Sequence, residues 1–393
     1  MDGIAGAPMS RLPTLAILGP LGSAQLACLR SWRRLGCRTV FLHLDEKPLN
    51  ERFRRIASVY SYVGKFEGLD DALGNQIAKT LRDENVVAIN ALSENVVAQL
   101  WRARPLLPDE ITLLVNTPSL LDELESKLFQ IEVARRAGFN VLPTWILNKN
   151  THPRDWPTAF PLVLRPDRAS KVDPPFKAEI IHSPEELKTF LVSQKAASAA
   201  IVAQPFIRGP NLLIHGYRSQ DGSVSGRHVA YHIGVKYNGV SVTMRPTRLD
   251  PELDRCCRVF EAELSLQGVF HLDLLLDPAT GAAWFLEVNG RLGGTTGKAY
   301  ASGYDEPVKL LMAFGLIGPQ PENVLLRPAT KRIAAIRCLI SALLGRSSGV
   351  DYPYPDHGKL LRELLPAMAT WPDDTFNGGD LIGAAAYLSQ AHA

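Results

Sequence analysis

The chain has 393 residues, of which 46% are hydrophobic and 21% charged, and its formal net charge is +3. This is the balance of an ordinary soluble globular protein, too long for one core, so two or three domains are expected. No Lys/Arg block suggests a nucleic-acid partner, and no uninterrupted apolar run is long enough for a membrane span.

The five cysteines, Cys28, Cys37, Cys256, Cys257 and Cys338, are odd in number and include no C-x-x-C pair. They form neither a disulfide framework nor a zinc site and read as reduced thiols of a cytoplasmic protein. Near the N-terminus, residues 12–29 are apolar and Ala-rich. Pro13 and Pro20 interrupt them, and a strand, glycine loop and helix explain the stretch better than a signal peptide.

From there strands and helices alternate. Strands are expected at 15–18, 38–44, 57–63, 86–90 and 111–115, with helices at 24–35, 69–83 and 95–104. That alternation implies an α/β domain, a parallel sheet with helices on both faces, over about residues 1–116. Gly19 and Gly22 lie at the first strand–helix turn and Asp45 ends the second strand. This arrangement carries an alternative reading of the whole chain, a nicotinamide-dependent oxidoreductase. The loop, however, is G-x-x-G and lacks the G-x-G-x-x-G spacing.

A helix is expected over 117–138, with Thr117 as N-cap, Pro118 in its first turn and Gly138 at its end. Leu124, Leu128, Ile131 and Ala134 form its apolar stripe, and Lys127 lies beside it. Strands follow at 161–166, 177–181 and 200–205. The first ends in Arg165-Pro166 and leads into 167–175, D-R-A-S-K-V-D-P-P, which has no glycine. Next come the turn-bearing segment A-Q-P-F-I-R-G-P-N at 203–211, an antiparallel meander at 212–218, 227–235 and 240–245, and a helix at 251–266. Lys236, Arg245 and Arg248 read as solvated strand cations, with phosphate or substrate contact as the alternative.

Residues 268–294 read as a β-hairpin with arms at 269–276 and 283–288. Asp273 lies inside the first arm. Glu287 and Asn289, two apart on the second, share a face. An acid inside each apolar arm is costly unless paired, and two carboxylates with an amide oxygen make a hard-cation site. Arg291 and a Gly-Gly pair follow directly.

The hairpin with its L-E-V-N-G-R-L-G-G run resembles the metal-binding end of the ATP-grasp superfamily. The resemblance extends from about residue 15 to 314. It implies an α/β pre-ATP-grasp domain followed by a two-lobed α+β ATP-grasp fold. The lobes would fall at 117–210, a linking helix and the first lobe, and at 211–320, the second lobe with the metal site. Residues 321–393 would complete that lobe or form a subunit contact in a homodimer. This tail holds a strand candidate at 332–340 and a helix near 360–364.

The resemblance also implies a function. The chain would be an ATP-dependent carboxylate–amine ligase, using ATP and Mg²⁺, or Mn²⁺, on small-molecule carboxylate and amine substrates. Asp273, Glu287 and Asn289 would hold the metal. Lys127 and Arg165 would neutralise phosphates, and Arg291 would stabilise the acyl phosphate or bind a carboxylate. Gln204, Pro205 and Ile207 would meet the adenine, and Asn211 the ribose hydroxyls. His271 stands where some of these ligases carry an arginine. The family's glycine-rich lid is replaced by 167–175, which supports a second alternative, a nucleotide-binding protein with impaired catalysis.

Overall fold

The computed structural model describes residues 12–65, 71–195, 200–321, 325–346, 350–376 and 379–390. The expected start of one helix at Leu69 lies outside the described residues. The chain divides into two compact units, Met1–Val115 with Gly378–Ala393, and Asn116–Asn377.

The first unit carries a parallel sheet of β1 (Thr14–Gly19), β2 (Arg38–Leu44), β3 (Val59–Gly64), β4 (Val86–Ala91) and β5 (Thr112–Leu113), ordered β3-β2-β1-β4-β5. The helices α1 (Ser23–Arg34), α2 (Asp71–Asp83) and α3 (Glu94–Arg102) connect the strands. Ile17, Leu18, Phe41 and Ile89 are fully buried, as near-continuous apolar runs in a parallel sheet require.

The second unit opens with α4 (Pro118–Glu125) and α5 (Lys127–Ala137), where the sequence suggests one helix. The break is at Ser126, whose extended backbone (φ −78, ψ 117) lets its side chain accept from the Phe129 N–H and cap α5.

A four-stranded antiparallel sheet follows: β6 (Trp145–Leu147), β7 (Leu162–Pro166), β8 (Glu179–Ile181) and β9 (Ile201–Pro205), ordered β6-β9-β7-β8. Leu187 and Leu191 of α6 (Pro184–Ser193) pack on its Leu162, Leu164 and Ile201.

The larger sheet comprises β10 (Asn211–Arg218), β11 (Val229–Tyr237), β12 (Val240–Thr247), β13 (Gly268–Leu276), β14 (Ala283–Asn289) and β15 (Ala329–Thr330). Its order is β14-β13-β10-β11-β12-β15. Strand alternation divides its residues between two faces. Leu272, Leu274 and Phe285 enter a core with α5 and α7 (Pro251–Glu263). Leu213, Tyr231, Ile233 and Met244 pack with Ala299 of α8 (Thr296–Ser302) and with Tyr304, just before α9 (Glu306–Ala313).

The 332–340 stretch is not a strand. It forms α10 (Arg332–Leu343), whose Ala334, Ala335, Cys338 and Ala342 pack with Leu360 and Leu364 of α11 (His357–Thr370). Short apolar runs leave helix and strand ambiguous in sequence, and here the small residues fall on one helical face. The last helix, α12 (Leu381–Gln390), belongs to the first unit. Asp380, just ahead of it, accepts from Arg30 Nε of α1 at 2.8 Å. Among the described residues, no helix is long and apolar enough to cross a membrane.

Candidate functional site

The hairpin forms as the alternation requires. β13 and β14 pair antiparallel with Asp273 opposite Glu287 and His271 opposite Asn289. All four side chains therefore share one face. Burial, then the neighbouring Glu287 carboxylate, raises the Asp273 carboxyl to about 6. Burial also pushes the Glu287 carboxyl upward, but Lys127 and Arg165 outweigh that and hold it at about 2.

Two further elements deliver those cations. α5 starts at Lys127, whose Nζ is 2.7 Å from Glu287 Oε2. One turn on, buried Gln130 accepts the Val288 N–H at 2.8 Å, so α5 also satisfies a donor of edge strand β14. Arg165 ends the apolar part of β7. Its guanidinium donates to Gln204 Oε1 at 2.8 Å and to the Leu286 carbonyl at 3.4 Å. Burial depresses its pKa, while Glu287 and Asp273 oppose that shift.

Asn211, at the start of β10, donates to Asp273 Oδ1 at 2.8 Å and accepts from Lys236 Nζ at 2.7 Å. It thus sits beside the carboxylate pair. Lys236 is not a solvated cation: burial lowers its pKa to about 8, against the pull of Asp273 and Asp351. Arg245 is engaged outside this cluster, with Glu363 at 2.9 Å and the Trp371 ring. Gln204 is buried with its carboxamide shared between Arg165 and Thr144. Pro205 ends β9, and Ile207 follows on the half-buried segment leading into β10.

Arg291 lies just past the hairpin, 3.4 Å from Asn289 Oδ1. Its loop is fixed by Asn116, which no local signal in the sequence marked. The buried Asn116 side chain donates to the Gly290 carbonyl at 2.5 Å and accepts the Gln267 N–H at 2.8 Å. His271 is buried, stacked on His215 at 5.5 Å, and His215 meets Glu306 at 2.5 Å. It is a member of a packed polar cluster.

The glycine-free segment is stitched down. Asp167 Oδ1 accepts from Ser126 Oγ at 2.8 Å and the Leu128 N–H at 2.9 Å, and its carbonyl accepts the Lys127 N–H at 3.0 Å. Arg168 donates to the Asp122 carbonyl at 2.8 Å, and Ser170 N–H to Glu125 Oε1 at 3.1 Å. Lys171 is exposed.

In the first unit, an added Cβ on Gly22 would lie 2.7 Å from Gln25 Oε1, and one on Gly19 would lie 3.6 Å from Gln25 Nε2. The buried Gln25 side chain therefore lies close to both glycines of the loop. Asp45 accepts the Glu46 N–H at 2.7 Å and lies 3.6 Å from His43.

Among the described residues, no three His, Cys, Asp or Glu side chains cluster as a metal site. Asp273, Glu287 and Asn289 bring two carboxylates and an amide. This set suits a magnesium ion that completes its shell with water and phosphate oxygens.

No family model and no curated protein sequence matches the chain. Solved structures do. An ADP complex of N5-carboxyaminoimidazole ribonucleotide synthetase aligns over 86% of this chain and 88% of that one, at TM-score 0.60 and 16% identity. Biotin carboxylase from Campylobacter jejuni aligns over 79% and 73%, at TM-score 0.60 and 14% identity. L-amino acid ligase from Bacillus licheniformis aligns over 77% and 74%, at TM-score 0.55 and 19% identity. The parallel sheet and the two antiparallel sheets thus belong to one known architecture, and this chain has the ATP-grasp fold.

Proposed function

We propose that the protein is an ATP-dependent ligase that activates a carboxylate as an acyl phosphate and joins it to an amine. The observation that carries this reading is the meeting of Lys127 and Arg165, from two separate elements, at the Glu287 carboxylate opposite Asp273. Facing acids with cations at their rim suit a ligand that brings both a divalent cation and polyanionic oxygens. Nucleotide complexes among the aligned structures agree with it.

In this reading Asp273, Glu287 and Asn289 hold Mg²⁺, which neutralises phosphate charge when bound. Lys127 leaves Glu287 to meet phosphate oxygens, and Arg165 adds a second cation from β7. Gln204, Pro205, Ile207 and Asn211 line the nucleoside end. A substrate carboxylate oxygen bonds to the γ-phosphorus as the bond to the β–γ bridging oxygen breaks, releasing ADP. The amine nitrogen then attacks the acyl carbon, phosphate leaves, and the amine gives up a proton. Arg291 holds the acyl phosphate or the incoming carboxylate.

Calorimetric titration with ATP, with and without Mg²⁺, beside a Glu287→Gln variant tests the site. Mg-dependent binding that the variant loses supports it, and binding indifferent to both overturns it. Trapping an acyl hydroxamate with hydroxylamine across a panel of carboxylates then tests turnover. A second reading, nucleotide binding without turnover, is favoured by Asp167 and Arg168, which are spent on internal partners where a mobile lid would close.

A further inference from the structure

Strand β11 extends beyond its neighbour. Its pairing with β10 ends at Asn211–Ile233, because the chain leaves the sheet there towards Pro210 and Arg208. The last residues of β11 would lose their partner on that side. A residue from the C-terminal part of the unit takes the place. Tyr352 forms an antiparallel bridge with Lys236, with N–H to carbonyl bonds of 2.9 and 3.1 Å. The neighbouring Asp351 accepts the Asn238 N–H at 2.7 Å. Two residues on, the Tyr354 carbonyl accepts from Arg208 Nη1 at 2.7 Å.

The same short segment is thus tied both to the connection between the two sheets and to the strand that carries Lys236. Asp351 and Tyr352 are buried, although they follow α10 in a region without a sequence motif. The Tyr352 ring lies 6.0 Å from Lys236 Nζ and 4.9 Å from Lys359 Nζ. The Lys236 ammonium in turn gives one of its three donors to Asn211.

We propose that residues 351–357 form a wall at the nucleoside end of the nucleotide pocket and position Lys236 and Asn211 towards the ribose. The inference rests on the nucleotide reading of the site above. Arg208 and Tyr352 are then positioning residues: they touch the wall and Lys236, not the phosphates. The ligand is a nucleoside triphosphate, and the segment serves its sugar and base.

The test separates the two ends of that ligand. The full chain, its Arg208→Ala and Arg208→Lys variants and a Tyr352→Ala variant are titrated calorimetrically with Mg-ATP and with Mg-tripolyphosphate, which has no nucleoside. Arg208 is exposed, so its variants fold, and circular dichroism checks Tyr352→Ala. The expected result is Mg-ATP affinity about tenfold weaker in both alanine variants, with tripolyphosphate affinity within twofold of wild type and partial recovery in Arg208→Lys. Equal losses for both ligands overturn the inference, since a general structural role would produce them. Unchanged Mg-ATP affinity in Arg208→Ala overturns it as well, while leaving the nucleotide reading intact. A wild-type chain that binds neither ligand overturns both.

Discussion

Lys127 and Glu287, 160 positions apart in sequence, meet at 2.7 Å, the first residue of α5 against the last acid of the hairpin. The contact neutralises a carboxylate that faces a second one, Asp273, across the strand pair. It also stores a cation where the proposed reaction needs one. Under the proposed function Glu287 would help hold Mg²⁺ and Lys127 would turn to phosphate oxygens, so that neither buried charge would be left unpaired.

Replacing Lys127 with Met keeps the aliphatic stem and removes the charge. The Glu287 carboxyl then loses its largest stabilising neighbour and rises from about 2. Mg-ATP affinity is expected to fall by at least tenfold, about 1.4 kcal/mol. Calorimetry at pH 7 measures it, and an affinity equal to wild type would remove Lys127 from the site.

Gly293 supplies a second test. A Cβ there would come 2.7 Å from His271 Cε1 and 3.3 Å from Arg291 Nη1. His271 is fixed by stacking on His215, so the backbone carrying Arg291 has to yield. Gly293→Ala is expected to lower kcat about tenfold while Mg-ATP affinity stays within twofold, because Asp273, Glu287 and Asn289 precede the shift. Steady-state kinetics and a parallel titration separate the two, and a loss confined to nucleotide binding would contradict the placement of Arg291.

The hairpin was legible because its information is local: alternation, a turn and two acids within apolar arms determine which side chains face one another. The strands of the first unit were likewise legible, from apolar runs that report their own burial, whereas their order in the sheet was not. What sequence could not show depends on distant partners. The α4–α5 break at Ser126 is completed by Asp167, 41 positions later. Asn116 and Gln130 act through backbone groups 174 and 158 positions away, and such pairings leave no periodic trace. Lys236 looked like any strand cation until Asn211 and the Tyr352 bridge gave it a setting.

The stitched segment after β7 yields a prediction about turnover. Arg168 is bonded to the Asp122 carbonyl at 2.8 Å and lies 3.6 Å from Glu125 Oε2. Arg168→Gly removes both contacts and adds the conformational freedom the segment lacks. If these contacts restrain closure over the phosphates, ADP formation with a competent carboxylate and amine should rise severalfold. A rate that falls would instead assign Arg168 a direct part in holding phosphate.

Stability against pH offers a test independent of any ligand. Lys298 in α8 is fully buried, and burial lowers its pKa to about 8, opposed by Asp374 and Asp373 and assisted by Lys331. In the unfolded chain the amine returns to its ordinary value of 10.5, so between about 8 and 10.5 the unfolded state binds more protons. Unfolding free energy contributed by this group therefore rises with pH across that window. Below it the cost of burying the cation is present in full. The total difference is on the order of 3 kcal/mol. Lys298→Met removes the titration, so the wild-type chain should gain on the variant as pH rises from 8 to 10. Buried thiols and tyrosines, whose deprotonation opposes folding in the same range, are common to both chains and cancel. Urea unfolding at pH 7, 8, 9 and 10 measures the gap, and a constant difference would show that Lys298 stays protonated in the folded protein across this range, its pKa not lowered by burial.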